Sequence, residues 1–264
     1  DTPSVLVLSP RDHFHAPVVL RELCARLPGA RIDVILTPKL GCNDSLAGVA
    51  ARSGPDFLAS MIWVKLRFEA LRALERVCRV PFERREFLSM AEVIDRLGLA
   101  WRCFARVNSP EAVAHARALR PDWIVLNLFN QIVGAKLAAC AAKECVNLHT
   151  SPLPLYRGVA PNFWALANGE TRFGVAVHRA RPGIDEGDIL AREEVAIDPA
   201  DTFFSLYRRC AVVGARLAAQ TIIDADYRTK AVPQQGLPSS YFSYVTPEAV
   251  RRFRGRGRKF FSLG

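Results

Sequence analysis

The 264-residue chain lacks the marks of several broad protein classes. No apolar run approaches the eighteen or so uninterrupted residues that a membrane-spanning helix needs. The opening Asp1-Thr2-Pro3 leads straight into an apolar stretch, without the basic-then-apolar pattern of a secretory leader. Those absences lead us to expect a soluble, cytoplasmic protein with no membrane span. The seven cysteines are odd in number and scattered, at 24, 42, 78, 103, 140, 145 and 210, with no Cys-x-x-Cys among them. That spacing argues against a disulfide framework or a structural zinc site, so we expect buried, reduced thiols and no metal. No internal repeat is present, which argues against a solenoid. Acidic residues are the scarcer charge, 26 against 36 Lys and Arg, for a net charge of +10. Nucleic acid, phosphorylated substrates and acidic membranes all suit such a surplus, and charge alone does not choose among them.

Half of the residues are apolar, enough for one large domain with a substantial core. Residues 4–8 form a short β-branched apolar run, as expected of a strand buried on both faces. Helical spacing follows over 17–27 and a second strand over 32–36. Residues 123–128 read as a third strand, 134–143 as a helix and 145–148 as a fourth strand. This alternation predicts an α/β fold with a Rossmann-like, mostly parallel sheet. Residues 57–80 are basic and amphipathic, expected to form a helix packed on the sheet or covering the site, with a membrane-surface helix as the alternative. Beyond His149 a Pro-rich loop precedes a helix near 162–167, strands over 173–180 and 189–197, and a long helix over 203–223. Asp201 or Thr202 would cap that last helix. We expect a catalytic domain over 1–228 and a short C-terminal extension over 229–264, with a basic, solvated tail at 251–259.

Asn147-Leu148-His149 closes the fourth strand. Side chains alternate along a strand, so Asn147 and His149 point one way while Leu148 enters the core. Ligands of open α/β sheets bind beyond the carboxyl ends of the strands. Arg181-Pro182-Gly183-Ile184-Asp185-Glu186-Gly187-Asp188 is turn chemistry that sets Asp185 on a tight loop. A carboxylate brought near His149 would favour its charged form. Spacing alone leaves open an ordinary strand end and an ordinary hairpin turn.

The segment from Val146 through Pro161 (Val-Asn-Leu-His-Thr-Ser-Pro-Leu-Pro-Leu-Tyr-Arg-Gly-Val-Ala-Pro) continues to Trp164-Ala165-Leu166-Ala167-Asn168-Gly169-Glu170-Thr171. It resembles the signature of the folate-dependent formyltransferases, a superfamily acting on methionyl-tRNA, glycinamide ribonucleotide and sugar nucleotides. Gly174 to His178 and Gly183 to Leu190 resemble its next block in order and spacing. The resemblance implies a catalytic set of Asn147, His149 and Asp185. It also implies 10-formyltetrahydrofolate as formyl donor, held between Phe129, Asn130, Gln131, Ile132 and Val133 on one side and Pro182, Gly183 and Ile184 on the other. Phe129 to Val133 departs from the family's usual Tyr-Gly-x-Ile-Leu-Pro, which leaves backbone contacts as the expected mode. A neutral amine would attack the formyl carbon, with the Asn147 amide and a His149 imidazolium stabilising the oxyanion and Asp185 holding His149 charged.

Arg11, Asp12, His13 and His15 follow the first strand, where relatives can touch the acceptor, and Arg157 follows the catalytic loop. Arg11, His13 and Arg157 are therefore candidate contacts to the acceptor, an amine that could be phosphorylated. His178, set among apolar residues, reads as structural. Few residues follow the long helix, so a tRNA-holding barrel is not expected. An amino sugar on a nucleotide carrier is the preferred acceptor, ahead of methionyl-tRNA, hydroxyornithine or a carrier-bound amino acid. Two further readings stay open: hydrolysis of formyltetrahydrofolate, and an inactive transferase scaffold that binds nucleic acid. A dimer is compatible with all of them.

Overall fold

The computed structural model describes residues 2–38 and 46–262. Seven strands form one sheet: β1 (Ser4–Pro10), β2 (Arg31–Thr37), β3 (Ala100–Cys103), β4 (Trp123–Asn127), β5 (Glu144–His149), β7 (Arg172–Arg179) and β8 (Ile189–Ala196). Their order is β3-β2-β1-β4-β5-β7-β8. The first five are parallel, β7 runs against them and β8 runs against β7, so the polarity first changes where β5 meets β7. A small parallel pair, β6 (Arg157–Gly158) with β9 (Tyr241–Phe242), stands apart.

The central strands are buried on both faces. Val5, Val7, Val125 and Val146 join a large core under helices α1 (Ala16–Arg26) and α8 (Phe203–Ile223). Leu6, Leu8, Ile124 and Leu126 face a smaller core. α5 (Pro110–Leu119) and α6 (Ala135–Ala138) cover this second face, contributing Val113 and Leu137. At about 25 cal/mol per Å2, such two-sided burial is the main source of stability. The remaining helices are α2 (Leu46–Ser53), α3 (Pro55–Val77), α4 (Met90–Leu97), α7 (Pro161–Asn168) and α9 (Pro247–Gly255). No described helix is long and apolar enough to cross a membrane.

Several expectations are met closely. α8 spans Phe203–Ile223, and Thr202 caps it with a reciprocal bond to Ser205, while Asp201 accepts from Ser205 Oγ and Arg209. The amphipathic segment is α3, which buries Val64 and Phe68.

Others need correction. The helix expected over 134–143 is a single turn, because the Ala142 and Lys143 amides bond to the Pro121 and Asp122 carbonyls instead of continuing it. β3, α4 and α5 had no counterpart in the sequence reading. Ser89 and Ser109, which accept from Glu92 N and Ala112 N, were the available start signals.

Part of the short extension beyond 228 packs into the main core. Val245, Ala249, Val250, Phe253, Phe260 and Phe261 are buried in the main core. The basic residues 251–259 are not a free tail. Arg252, Arg256 and Arg258 bond carbonyls of residues 167, 198, 199 and 201, and Arg254 reaches Asp56.

Of the six described cysteines none is bridged. Burial pushes the Cys24 thiol up to about 11 and those of Cys145 and Cys210 to about 12. Cys78 and Cys103 are exposed, against the expectation of burial, and Cys42 lies outside the described residues.

The strand that carries Asn147 and His149 is positioned by one close contact. A Cβ on Gly214 of α8 would lie 2.6 Å from the Leu148 side chain, so α8 seats against β5 only without one. Alanine is the better helix former, but here overpacking wins. Gly214→Ala is expected to lower stability by about 1–3 kcal/mol, read by urea unfolding; a stabilised variant would refute the contact.

Candidate active site

Three elements bring the predicted residues together. Antiparallel register pairs Asn147 of β5 with His178 of β7. Asp185 sits on the β7–β8 connection at φ 55°, a left-handed conformation that Asp tolerates better than most residues. Asp185 Oδ2 lies 3.6 Å from His149 Nε2, and Oδ1 lies 3.5 Å from His178 Nε2. Asn147 Nδ2 donates to Asp185 Oδ1 at 3.1 Å and stands 3.0 Å from His178 Nε2. Gly158 N–H donates to Asp185 Oδ2 at 2.9 Å. Asn147, His149 and Asp185 therefore meet as expected, and His178, read as structural, joins them. Its place directly across the ladder was hidden in an unbroken apolar run.

The hydrogen bonds fix where the protons sit. Turning the Asn147 amide would face its oxygen to a carboxylate, so Nδ2 must face Asp185. Its second hydrogen lies toward His178 Nε2, 3.0 Å away. His178 Nδ1 lies 2.9 Å from the Arg179 carbonyl, an acceptor only, and so donates. His149 Nε2 lies 3.2 Å from the Tyr156 carbonyl, an acceptor only, and so donates. A neutral His149 is left with its lone pair on Nδ1.

Burial holds His149 below the ordinary histidine value, and this outweighs the opposing pull of Asp185. Burial thus works against the standing imidazolium expected there. Burial pushes the Asp185 carboxyl up, but the two imidazoles and the Gly158 N–H together hold it well below the usual carboxylate range.

Val133 and Pro182, one from each proposed donor-binding segment, line one cavity, whose wall includes none of Asn147, His149, His178 and Asp185. This open cavity of about 440 Å3 lies between Val133 on one side and Ala180, Arg181 and Pro182 on the other, with Lys143, Arg181, Arg228 and Glu144 in its wall. Phe129 and Val133 pack on the smaller core, while Ile132 and Ile184 are exposed. Gln131 turns away: its side chain bonds Val107 N and the Ala105 carbonyl. Asn108 braces the same loop through Ile132 O and Gly134 N. Asn130 Oδ1 is buried with no partner, as suits a loop shaped to receive a polar ligand. Gly183 takes φ 103°. Among the described residues no group of three His, Cys, Asp or Glu could hold a metal ion.

The proposed acceptor contacts fare differently. Arg11 is exposed beyond β1. His13 is engaged within the fold: Nδ1 accepts from the His15 and Ala16 amides at the start of α1, and Nε2 meets Tyr207 Oη at 3.2 Å. Arg157 holds Gln234 Oε1 at 2.8 Å and faces Glu186 at 3.7 Å. Gln234, unnoticed in the sequence, is buried and bonds the carbonyls of Asp185 and Gly187.

The sequence profile of the formyl transferase family matches residues 91–222, half of the chain, and encloses Asn147, His149, His178 and Asp185. The chain belongs to this family. A methionyl-tRNA formyltransferase of Geobacter metallireducens is 39% identical over 117 residues, which cover 44% of this chain and 38% of that protein. The aligned segment thus spans well under half of that relative's length. Among solved structures, the N-formyltransferase of Helicobacter canadensis, in complex with folinic acid and dTDP-3-aminofucose, aligns with TM-score 0.55 at 19% identity, covering 90% of this chain and 70% of that one. The phosphoribosylglycinamide formyltransferase of Bacillus halodurans aligns with TM-score 0.55 at 17% identity, covering 83% and 93%. These structures share the fold. Gln234 lies outside the family match.

His13 provides a test of the β1–α1 turn. Burial pushes its ring down to about 4. That value lies below the unfolded 6.5, so its share of stability is complete above pH 6.5 and is lost as pH falls toward 4. Each pH unit in that window costs up to about 1.4 kcal/mol. His13→Asn, which can still cap α1, should show a shallower loss between pH 6.5 and 4 in urea melts; an unchanged slope would contradict the buried, neutral ring.

Proposed function

We propose that the protein is a cytoplasmic N-formyltransferase that moves a formyl group from 10-formyltetrahydrofolate to a primary amine of a small molecule. The single observation that carries this reading is the convergence of Asn147, His149 and Asp185 on one point beyond the carboxyl end of β5. The donor supplies an activated formyl carbon on a nitrogen able to depart. Residues 129–133 and 182–184 would hold it, with the Asn130 amide and backbone groups as polar contacts. The basic wall of Lys143, Arg181 and Arg228 suits an anionic tail.

The residues then act as follows. Attack by a neutral amine forms a C–N bond and leaves positive charge on nitrogen and negative charge on oxygen. His149 Nδ1 accepts the surplus amine proton, and Asp185, 3.6 Å from the far ring nitrogen, favours the imidazolium once it forms. The same proton is then available to the departing nitrogen as its bond to carbon breaks. In the resting site the Asn147 amide donates to Asp185 and stands 3.0 Å from His178 Nε2. A developing oxyanion would compete for one of its hydrogens, and such a donor is typically worth ~100- to 1000-fold in rate.

An amino sugar on a nucleotide carrier is the preferred acceptor. The shared fold with the Helicobacter canadensis protein, solved with dTDP-3-aminofucose, supports it. A second reading, methionyl-tRNA, is favoured by the 39% identity to the Geobacter metallireducens relative. Internal engagement of Arg252, Arg254, Arg256 and Arg258 weighs against a phosphate-tracking role for the basic segment.

Transfer of labelled formyl from 10-formyltetrahydrofolate to nucleotide-linked amino sugars and to methionyl-tRNA separates the two acceptors. Asn147→Ala and Asp185→Asn should each lower kcat by about 100-fold or more, with donor binding within about fivefold. Near-normal turnover in either purified variant would overturn the assignment.

A further inference from the structure

Asp185 needs a fixed direction to reach His149, yet it stands on an exposed connection between two strands. Its neighbour Ile184 is 44% exposed and Glu186 is also solvent-facing. What holds the loop comes from the far end of the chain. Gln234, 4% exposed, donates from Nε2 to the Asp185 carbonyl at 2.9 Å and to the Gly187 carbonyl at 2.6 Å. Its Oε1 accepts from Arg157 Nε at 3.2 Å and from a terminal guanidinium nitrogen at 2.8 Å. Two carbonyls can only accept and a guanidinium can only donate, so the amide has one possible orientation and no unused hydrogen. Arg157 also reaches Glu186, and its neighbour Gly158 donates to the Asp185 carboxylate. Gly158 is in turn seated by the β6–β9 pair: a Cβ there would lie 2.2 Å from the Phe242 carbonyl.

We propose that Gln234, with Arg157, is a positioning residue that clamps the Asp185 loop, so that the C-terminal segment takes part in setting the protonation of His149. This rests on the formyl-transfer reading for its kinetic consequences, but not for the clamp itself. Without Gln234 two loop carbonyls and the Arg157 guanidinium lose a buried partner, a cost that only water could offset. The loop would then relax and carry the carboxylate away from His149. Burial would act on the ring unopposed, and its proton affinity would fall further.

The test uses the full chain with Gln234→Met and Gln234→Glu, the second of which keeps the Arg157 contact but cannot donate to the two carbonyls. Hydrogen exchange should quicken in peptides covering 181–190 and stay unchanged in those covering β1 and β4. In formyl transfer, kcat should fall about 10- to 100-fold with donor KM within about threefold, and the acid limb of the kcat profile should move to lower pH. If the wild-type protein transfers no formyl group yet exchange quickens locally, the functional reading fails and the clamp stands. If the wild type is active and both variants keep its kcat and acid limb, the clamp is overturned. Exchange that quickens throughout both variants would assign Gln234 to general stability and overturn it equally.

Helix α3 supplies an independent observation. Ile62, Trp63, Leu66, Leu74 and Val77 are exposed by 43% to 78%, and Ala59, Ala70 and Ala73 are exposed between them. At 100° per residue these eight fall within one stripe opposite the buried Val64 and Phe68. The stripe complements itself about residue 68 in an antiparallel pairing. Val77 then faces Ala59, Leu74 faces Ile62, Ala73 faces Trp63 and Ala70 faces Leu66, so most large side chains meet small ones. The five large side chains expose on the order of 500 Å2, so two copies would cover about 1,000 Å2, the lower bound of a stable interface.

We infer that a second copy of this chain docks on α3. Light scattering at tens of micromolar should give a dimer, and Leu66→Glu or Leu74→Glu should raise its dissociation constant more than tenfold with formyl transfer intact. A monomeric wild type, dimers that persist in both variants, or capture of the stripe by anionic phospholipid vesicles would each overturn the inference.

Discussion

A carboxylate facing two imidazoles in a mostly buried setting is the constraint around which this structure is arranged. Asp185 accepts from the Asn147 amide and the Gly158 N–H while His149 and His178 stand within 3.6 Å. Because it is ionised and mostly desolvated, every donor around it must be held in place. β5 supplies two neighbours, β7 supplies the third, and the β6–β9 pair supplies the fourth. The change from parallel to antiparallel pairing at β5–β7 is what sets His178 opposite Asn147. The contact of Leu148 with Gly214 seats the strand that carries them.

The electrostatics of the site follow from competing magnitudes. A carboxylate near a histidine raises its proton affinity, and burial lowers it. Here burial prevails for His149, while Asp185 stays ionised because N–H groups and rings surround it. A neutral ring beside a fixed anion is suited to take up a proton when positive charge arises in front of it, and to release it afterwards. A ring charged from the start would lack the first of those abilities.

Much of this was legible in the sequence, for physical reasons. β1 and β4 are almost continuous apolar runs, as parallel central strands tend to be, and β2 carries Val34-Ile35-Leu36. Thr202 caps α8 and marked its start to the residue. Asn147, His149 and Asp185 stand out through the resemblance of their segments to the formyltransferase signature, since spacing alone leaves an ordinary strand end and an ordinary turn open.

What escaped the reading did so because it depends on distant parts of the chain. β3 is a short edge strand with all four residues exposed, so no pattern marked it. His178 follows the apolar run Phe173–Val177, and only the register of β7 against β5 sets it opposite Asn147. The alanine-rich stretch after Gly134 has high helix propensity, but carbonyls before β4 claim its amides. Gln234 lies 49 residues from the loop it bonds, in a polar segment without periodicity. The protonation of His149 depends on how deeply the fold buries it, and the motif alone does not contain that quantity.

The most direct measurement of the central claim is the 15N chemical shifts of the His149 ring, followed through a pH titration of the intact protein. The arrangement described here predicts a neutral ring at pH 7 protonated on Nε2, titrating below the ordinary histidine value of about 6.5. A His149 imidazolium persisting at pH 7, or a neutral ring protonated on Nδ1, would contradict the proton placement on which the proposed transfer depends.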